Sequence, residues 1–157
     1  MRGMGARNLA RGVAMALLLA LAAGLASAQG SAIGYVKTLQ SDATVAAGGH
    51  AAPAALGMPL PKGFVVKTSA TGSMGITLRD NTLISLGPST EFAVDDYQFE
   101  PGKGELRLWA TIGKGTLQYV SGMIAKLRPE AVVVKTPTGI IGVRGTRFVV
   151  QVEGDAP

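Results

Sequence analysis

After Gln29 the apolar residues of this chain recur at every second position, and β-branched types dominate them. That period places successive side chains on opposite faces of an extended backbone, so it specifies half-buried strands rather than helices. Gly and Pro interrupt the pattern every few residues. The predicted strands are therefore short: Ile33–Leu39, Ala43–Ala47, Phe64–Thr68, Gly72–Arg79, Leu83–Leu86, Glu91–Asp95, Glu105–Ile112, Thr116–Val120, Ala131–Thr136, Ile140–Arg144 and Arg147–Val152. Strands of this length and spacing imply an all-β fold, an antiparallel sandwich or a solenoid-like domain.

Local pairing can be argued in places. Met74, Ile76 and Leu78 share one face, and Asp80-Asn81 signals a turn. A three-residue loop, Asp80 to Thr82, keeps both faces uniform by setting Leu78 opposite Ile84, Thr77 opposite Ser85 and Ile76 opposite Leu86. In Glu105–Ile112, Leu106, Leu108, Ala110 and Ile112 point one way, with Glu105, Arg107, Trp109 and Thr111 on the other side. Gly113-Lys114-Gly115 reads as a turn into Thr116–Val120. Ser121 to Glu130 breaks the alternation with Met123, Ile124 and Leu127 at helical spacing; Ser121 is the expected cap and Pro129 the stop. Ala47 to Pro61, rich in Ala, Gly and Pro, reads as a loop. The stretch from Val65 to Gly75 echoes the one from Val133 to Gly142, which raises the question of an internal repeat.

The first 28 residues read as a helical signal peptide, leaving residues 29–157 as one domain. Arg2, Arg7 and Arg11 precede an apolar run from Val13 to Leu25, and Ala26-Ser27-Ala28 supplies the small-x-small cleavage pattern before Gln29. Thirteen apolar residues are short of the roughly 20 that span a bilayer. The expected location is thus periplasmic or otherwise exported, with membrane contact only in transit. Removing three arginines from the 15 basic residues leaves 12 against 10 acidic ones. The remaining basic residues are scattered, so no nucleic-acid partner is expected. The chain has no cysteine. A core, not disulfides, must hold it, and thiolate metal or redox chemistry is excluded.

The segment Val134-Lys135-Thr136-Pro137-Thr138-Gly139-Ile140-Ile141-Gly142-Val143-Arg144-Gly145-Thr146-Arg147-Phe148-Val149-Val150 resembles the FecR-type periplasmic domain. The shared pattern is a strand ending in Thr-Pro, a short apolar strand, Val-Arg-Gly-Thr and a final strand. Gly34-Tyr35-Val36, Gly57 to Leu60, Lys67-Thr68, Leu78 to Thr82 and Leu86 to Thr90 fit more loosely. The resemblance implies an all-β periplasmic domain. Signalling members join it to a cytoplasmic anti-sigma segment, a membrane span and a receptor-contacting domain. Here only a short segment precedes the apolar run, so the domain alone is carried over. The signature residues Thr136, Pro137, Gly142, Val143, Arg144, Gly145 and Thr146 are read as structural: glycines for corners, Arg144 bracing carbonyls or a carboxylate such as Glu130.

The chemistry-bearing residues are few. His50 is the sole candidate base, in the context Gly48-Gly49-His50 with no orienting carboxylate beside it, so no catalytic residue is assigned. Asp95-Asp96 with Glu100 could attract a hard cation, but neighbours on a strand face opposite ways, and a polar turn is the plainer reading. Gly113-Lys114-Gly115-Thr116 lacks the spacing of a phosphate loop. Trp109, on a polar face, either anchors a partner or packs beneath Tyr97–Phe99, the reading favoured here. The sequence thus points to a non-catalytic binding, sensing or scaffolding domain that needs no cofactor and engages an envelope protein or glycan. The second reading is a regulatory module acting on a TonB-type outer-membrane receptor or an anti-sigma factor. The third is a hydrolase using His50.

Overall fold

The computed structural model describes residues 30–145 and 147–154. The segment expected to be a signal peptide with its cleavage site, Thr146 and the last three residues lie outside this range. Within it, twelve strands form one curled sheet that is mainly antiparallel. They are β1 (Gly34–Gln40), β2 (Ala43–Ala47), β3 (His50–Pro53), β4 (Pro59–Leu60), β5 (Val65–Thr68), β6 (Ser73–Leu78), β7 (Leu83–Leu86), β8 (Glu91–Glu100), β9 (Glu105–Val120), β10 (Val132–Thr136), β11 (Gly139–Gly142) and β12 (Arg147–Val152). The order β3-β2-β5-β8-β9-β7-β6-β1-β4 runs across the sheet, with β10 and β12 also paired to β9 and β11 hairpinned to β10. The curl brings side chains of both halves into one apolar cluster, including Phe64, Val66, Met74, Ile76, Leu86, Phe92, Ile112 and Tyr119.

The strand β9 is the spine. The sequence suggests two strands with a turn at Gly113-Lys114-Gly115; the structure has one strand of 16 residues. Its first half buries Leu108, Ala110 and Ile112, and its second half buries Leu117 and Tyr119. The inward parity therefore slips by one residue at the glycines. The register against β8 skips Gly113, with Lys114 opposite Glu91 and Ile112 opposite Phe92, and Gly115 takes φ +93° just beyond it. A Cβ on Gly115 would sit 2.4 Å from Thr90 Cα. The Thr90 hydroxyl accepts from Thr116 N at 3.0 Å and pins the bend. The bulge lets one strand face the core in both halves of the sheet.

The segment read as a loop holds two strands. Gly48 and Gly49 both have positive φ and form the two-residue turn that sets β3 against β2, Ala47 opposite His50. A Gly-Gly pair between extended runs is a hairpin signal, so this element was legible. Strand β8 continues past Asp95 to Glu100, with a bulge between Val94 and Asp96. The echo between the Val65 and Val133 segments is not a structural repeat. β10 and β11 form a hairpin, whereas β5 pairs with β2 and β8, and β6 with β1 and β7. One pairing is parallel: β10 runs beside β9, Val132 opposite Leu108. It is reached by a crossover containing α1 (Met123–Leu127).

The hairpin β6–β7 differs from expectation by two residues. Its loop is Arg79 to Asn81, with Ile76 opposite Ile84 and Met74 opposite Leu86. Asn81 N donates to Leu78 O at 3.0 Å, and Asn81 takes φ +64° to close the turn. A slip of two preserves the faces, so alternation alone could not choose the register. The choice follows from Asp80, which is fully buried. Its carboxylate accepts from Thr82 Oγ1 (2.7 Å), Thr82 N (3.3 Å), Tyr97 Oη (3.2 Å) and Ile124 N (3.2 Å). Its own amide donates to Tyr97 Oη at 2.9 Å. Asp80 thereby caps α1 from a distance, in place of Ser121; the local cap position is Gly122, without a side-chain bond. The Ser121 hydroxyl instead donates to Gly145 O at 2.7 Å.

Asp80→Ala leaves the partners of a buried carboxylate unsatisfied at once. It is expected to lower unfolding stability by about 3 kcal/mol or more in chemical denaturation, far beyond an ordinary surface change.

Candidate functional site

The outer face of the sheet around Trp109 gathers the polar side chains that the core excludes. Strand register sets the rows. Asp96, Trp109, Val133 and Gly142 lie opposite one another on β8, β9, β10 and β11. The adjacent row is Ala93, Thr111, Lys135 and Ile140. Trp109 is 39% exposed. It does not pack beneath Tyr97–Phe99, because Tyr97 is opposite Leu108 and points into the core. Two cations flank the indole instead: Arg107 Cζ at 5.1 Å and Lys135 Nζ at 5.5 Å from the ring centroid. Such contacts stabilise the placement of the ring. Ile140, 71% exposed, lies on the row beside it.

The carboxylates belong to the same face. The bulge at Val94/Asp96 cancels the usual alternation, so Asp95 and Asp96 both reach outward side-chain partners, contrary to the expected opposite-facing pair in a polar turn. Asp95 accepts from Thr111 Oγ1 at 2.7 Å. Asp96 pairs with Arg107 at 2.8 Å and with Lys62 at 2.5 Å. These partners, Arg107 first and then Lys62, hold the Asp96 carboxyl below its ordinary range. Glu91 is lowered in the same way, chiefly by Lys114 and also by Lys67. Lys114 thus serves a strand ion pair rather than a phosphate-binding loop. Among the described residues no group of three His, Cys, Asp or Glu side chains is placed to hold a metal ion. His50 is exposed at the start of β3.

The signature residues close the C-terminal part of the domain. Thr136 is opposite Gly139, and its hydroxyl donates to Gly139 O at 3.1 Å across the Pro137-Thr138 turn. Val143 is buried, and Arg144 is exposed. Among the described residues Glu130 pairs with Arg128, not with Arg144. Gly145 takes φ +133°, and open space surrounds the position of a Cβ. Gly142 is extended rather than a corner and lies two strands from Trp109 on its row. The sequence placed Arg107, Trp109 and Thr111 together through period two. Period two does not show that Asp96 and Lys135 join them, because a bulge and a parallel pairing bring these two in.

Gly145→Val is expected to cost about 1–3 kcal/mol through backbone strain alone. Gly115→Ala is expected to cost more, since it adds a collision with Thr90 to the strain; paired denaturation curves give the order. The lowered Asp96 carboxyl contributes stability that is present above its unfolded value near 3.8 and is lost as pH falls through the lower folded value. Acid titration of the unfolding midpoint should therefore show a decline below about pH 4 that is shallower in Asp96→Asn.

A family model described as FecR protein matches residues 64–157. Searches of curated proteins and of solved structures return no match. The looser similarities at Gly34-Tyr35-Val36 and Gly57 to Leu60 precede the matched span, whereas the Thr-Pro and Val-Arg-Gly-Thr signature falls inside it. With the match covering more than half of its length, the chain belongs to the FecR protein family.

Proposed function

We propose that this chain is a non-catalytic envelope domain that binds another envelope component, protein or glycan, through the sheet face centred on Trp109. The carrying observation is the half-exposed indole between Arg107 and Lys135, in a row ending at the side-chain-free Gly142. An aromatic held in place by its neighbours loses little entropy on binding and offers a large apolar area. The flanking cations and Asp95 and Asp96 supply directional polar contacts around it. The signature residues are assigned a structural role: Thr136 and Pro137 close a hairpin, Val143 fills the core, and Gly145 shapes the corner before β12.

Membership of the FecR family favours a regulatory setting, in which the bound partner is a TonB-type outer-membrane receptor or an anti-sigma protein in the periplasm. No described helix is long and apolar enough to cross a membrane. A hydrolytic role for His50 has less support, because the residue stands on a solvent-facing strand edge after a Gly-Gly turn.

Trp109 is the sole tryptophan, so its emission reports on this face alone. Titration with soluble peptidoglycan fragments, and separately with the periplasmic domain of a candidate receptor, should shift that emission for the true partner class. Trp109→Ala should weaken binding by about 30-fold or more while leaving the unfolding midpoint nearly unchanged. Undiminished binding by Trp109→Ala would sink the assignment.

A further inference from the structure

Four strands pair on one side only among the described residues: β3, β4, β11 and β12. An open strand edge templates unwanted pairing, so proteins blunt it. Three of these edges are blunted. β3 ends in Pro53, β4 is a two-residue strand beginning with Pro59, and β11 is four residues bounded by Gly139 and Gly142. The fourth is not. β12 reads Arg147-Phe148-Val149-Val150-Gln151-Val152, with no Pro, Gly, Lys or bulge. Val149 on this strand is 64% exposed. A groove of about 990 Å³ runs between β11 and the second half of β12, Val150 to Val152, with Glu153 just after it.

We propose that the edge of β12 pairs antiparallel with β12 of a second copy of this chain, across a two-fold axis through Val150. The strand is self-complementary in that register. Phe148 falls opposite Val152, Val149 opposite Gln151, and Arg147 opposite Glu153, each pair occurring twice. Inward residues meet inward residues, since Phe148, Val150 and Val152 are the half-buried set packed against the core. Arg147, Val149, Gln151 and Glu153 are the exposed set. Aromatic–β-branched and opposite-charge pairs are the favoured cross-strand combinations. A closed two-fold also satisfies the edge without propagating a fibre. The partner's Arg147 to Val150 lies against the groove-lining half of β12. This pairing is independent of the Trp109 reading, because β12 is not among the strands that carry the Trp109 row.

Sedimentation equilibrium of the full exported chain tests the idea. A concentration-dependent dimer is expected. Arg147→Glu and Glu153→Arg each set like charges opposite one another twice, and each should raise the dimer dissociation constant by about tenfold or more. The double reversal should restore it, and the thermal midpoint of the monomer should hold in all three, since both side chains are exposed. The chain has no cysteine. Val150→Cys should therefore give a covalent dimer on oxidation, its Cα pair at about 5 Å across the axis. Val149→Cys, whose copies stand diagonally at about 7–8 Å, should not. A monomer at every concentration up to about 100 μM, or a dimer indifferent to the single charge reversals, overturns the proposal.

Discussion

Burying a carboxylate costs several kcal/mol unless its oxygens are satisfied, and the whole middle of this domain is arranged to satisfy Asp80. The residue sits in a hairpin loop, where a solvated turn would be the cheaper arrangement. Instead it turns inward and binds its own hairpin through Thr82, the far half of the sheet through Tyr97, and the crossover helix through Ile124 N. Three segments distant in sequence are thereby held in one arrangement. The surrounding hydroxyls feel the same burial. Loss of solvent, joined by the nearby carboxylate, raises the Tyr97 phenol far above its ordinary value, and burial first of all pushes Tyr119 up to about 12. Both remain neutral over the physiological range.

The second constraint is topological. A curled sheet with one core needs a strand that can change sides without leaving the sheet. β9 does so between Gly113 and Gly115, where a residue skipped in the register and a positive φ shift inward parity by one residue. That shift allows β7 and β12 to pair with its second half and β8 and β10 with its first. The outer surface inherits its chemistry from this arrangement. Parallel return of β10 places Lys135 near Trp109, and the β8 bulge places Asp95 and Asp96 on the same side as Arg107 and Thr111. The face proposed for binding is therefore a by-product of how the sheet closes, assembled from three strands separated by connections of quite different kinds.

The FecR signature serves the same closure. Its Thr-Pro turn ends β10, its Val143 enters the core, and the carbonyl of Gly145 is held by Ser121 at the end of the spine. Its visible contacts concern how the last three strands are tied down.

The sequence by itself determined the all-β class, most strand positions, the inward faces of β6, β7 and β9, and the C-terminal signature. Period two with β-branched residues has one structural meaning, and side chains two apart share a face whatever follows. It also carried the Gly48-Gly49 signal of the β2–β3 hairpin. Only the tertiary structure decided the register of β6–β7, the continuity of β9, the parallel placement of β10 and the company of Trp109. A two-residue slip and a crossover leave the alternation intact, and a bulge shifts its phase just as a turn would. The energies that select among them come from a buried carboxylate and a close backbone approach between residues far apart in the chain, where no local pattern records the contact.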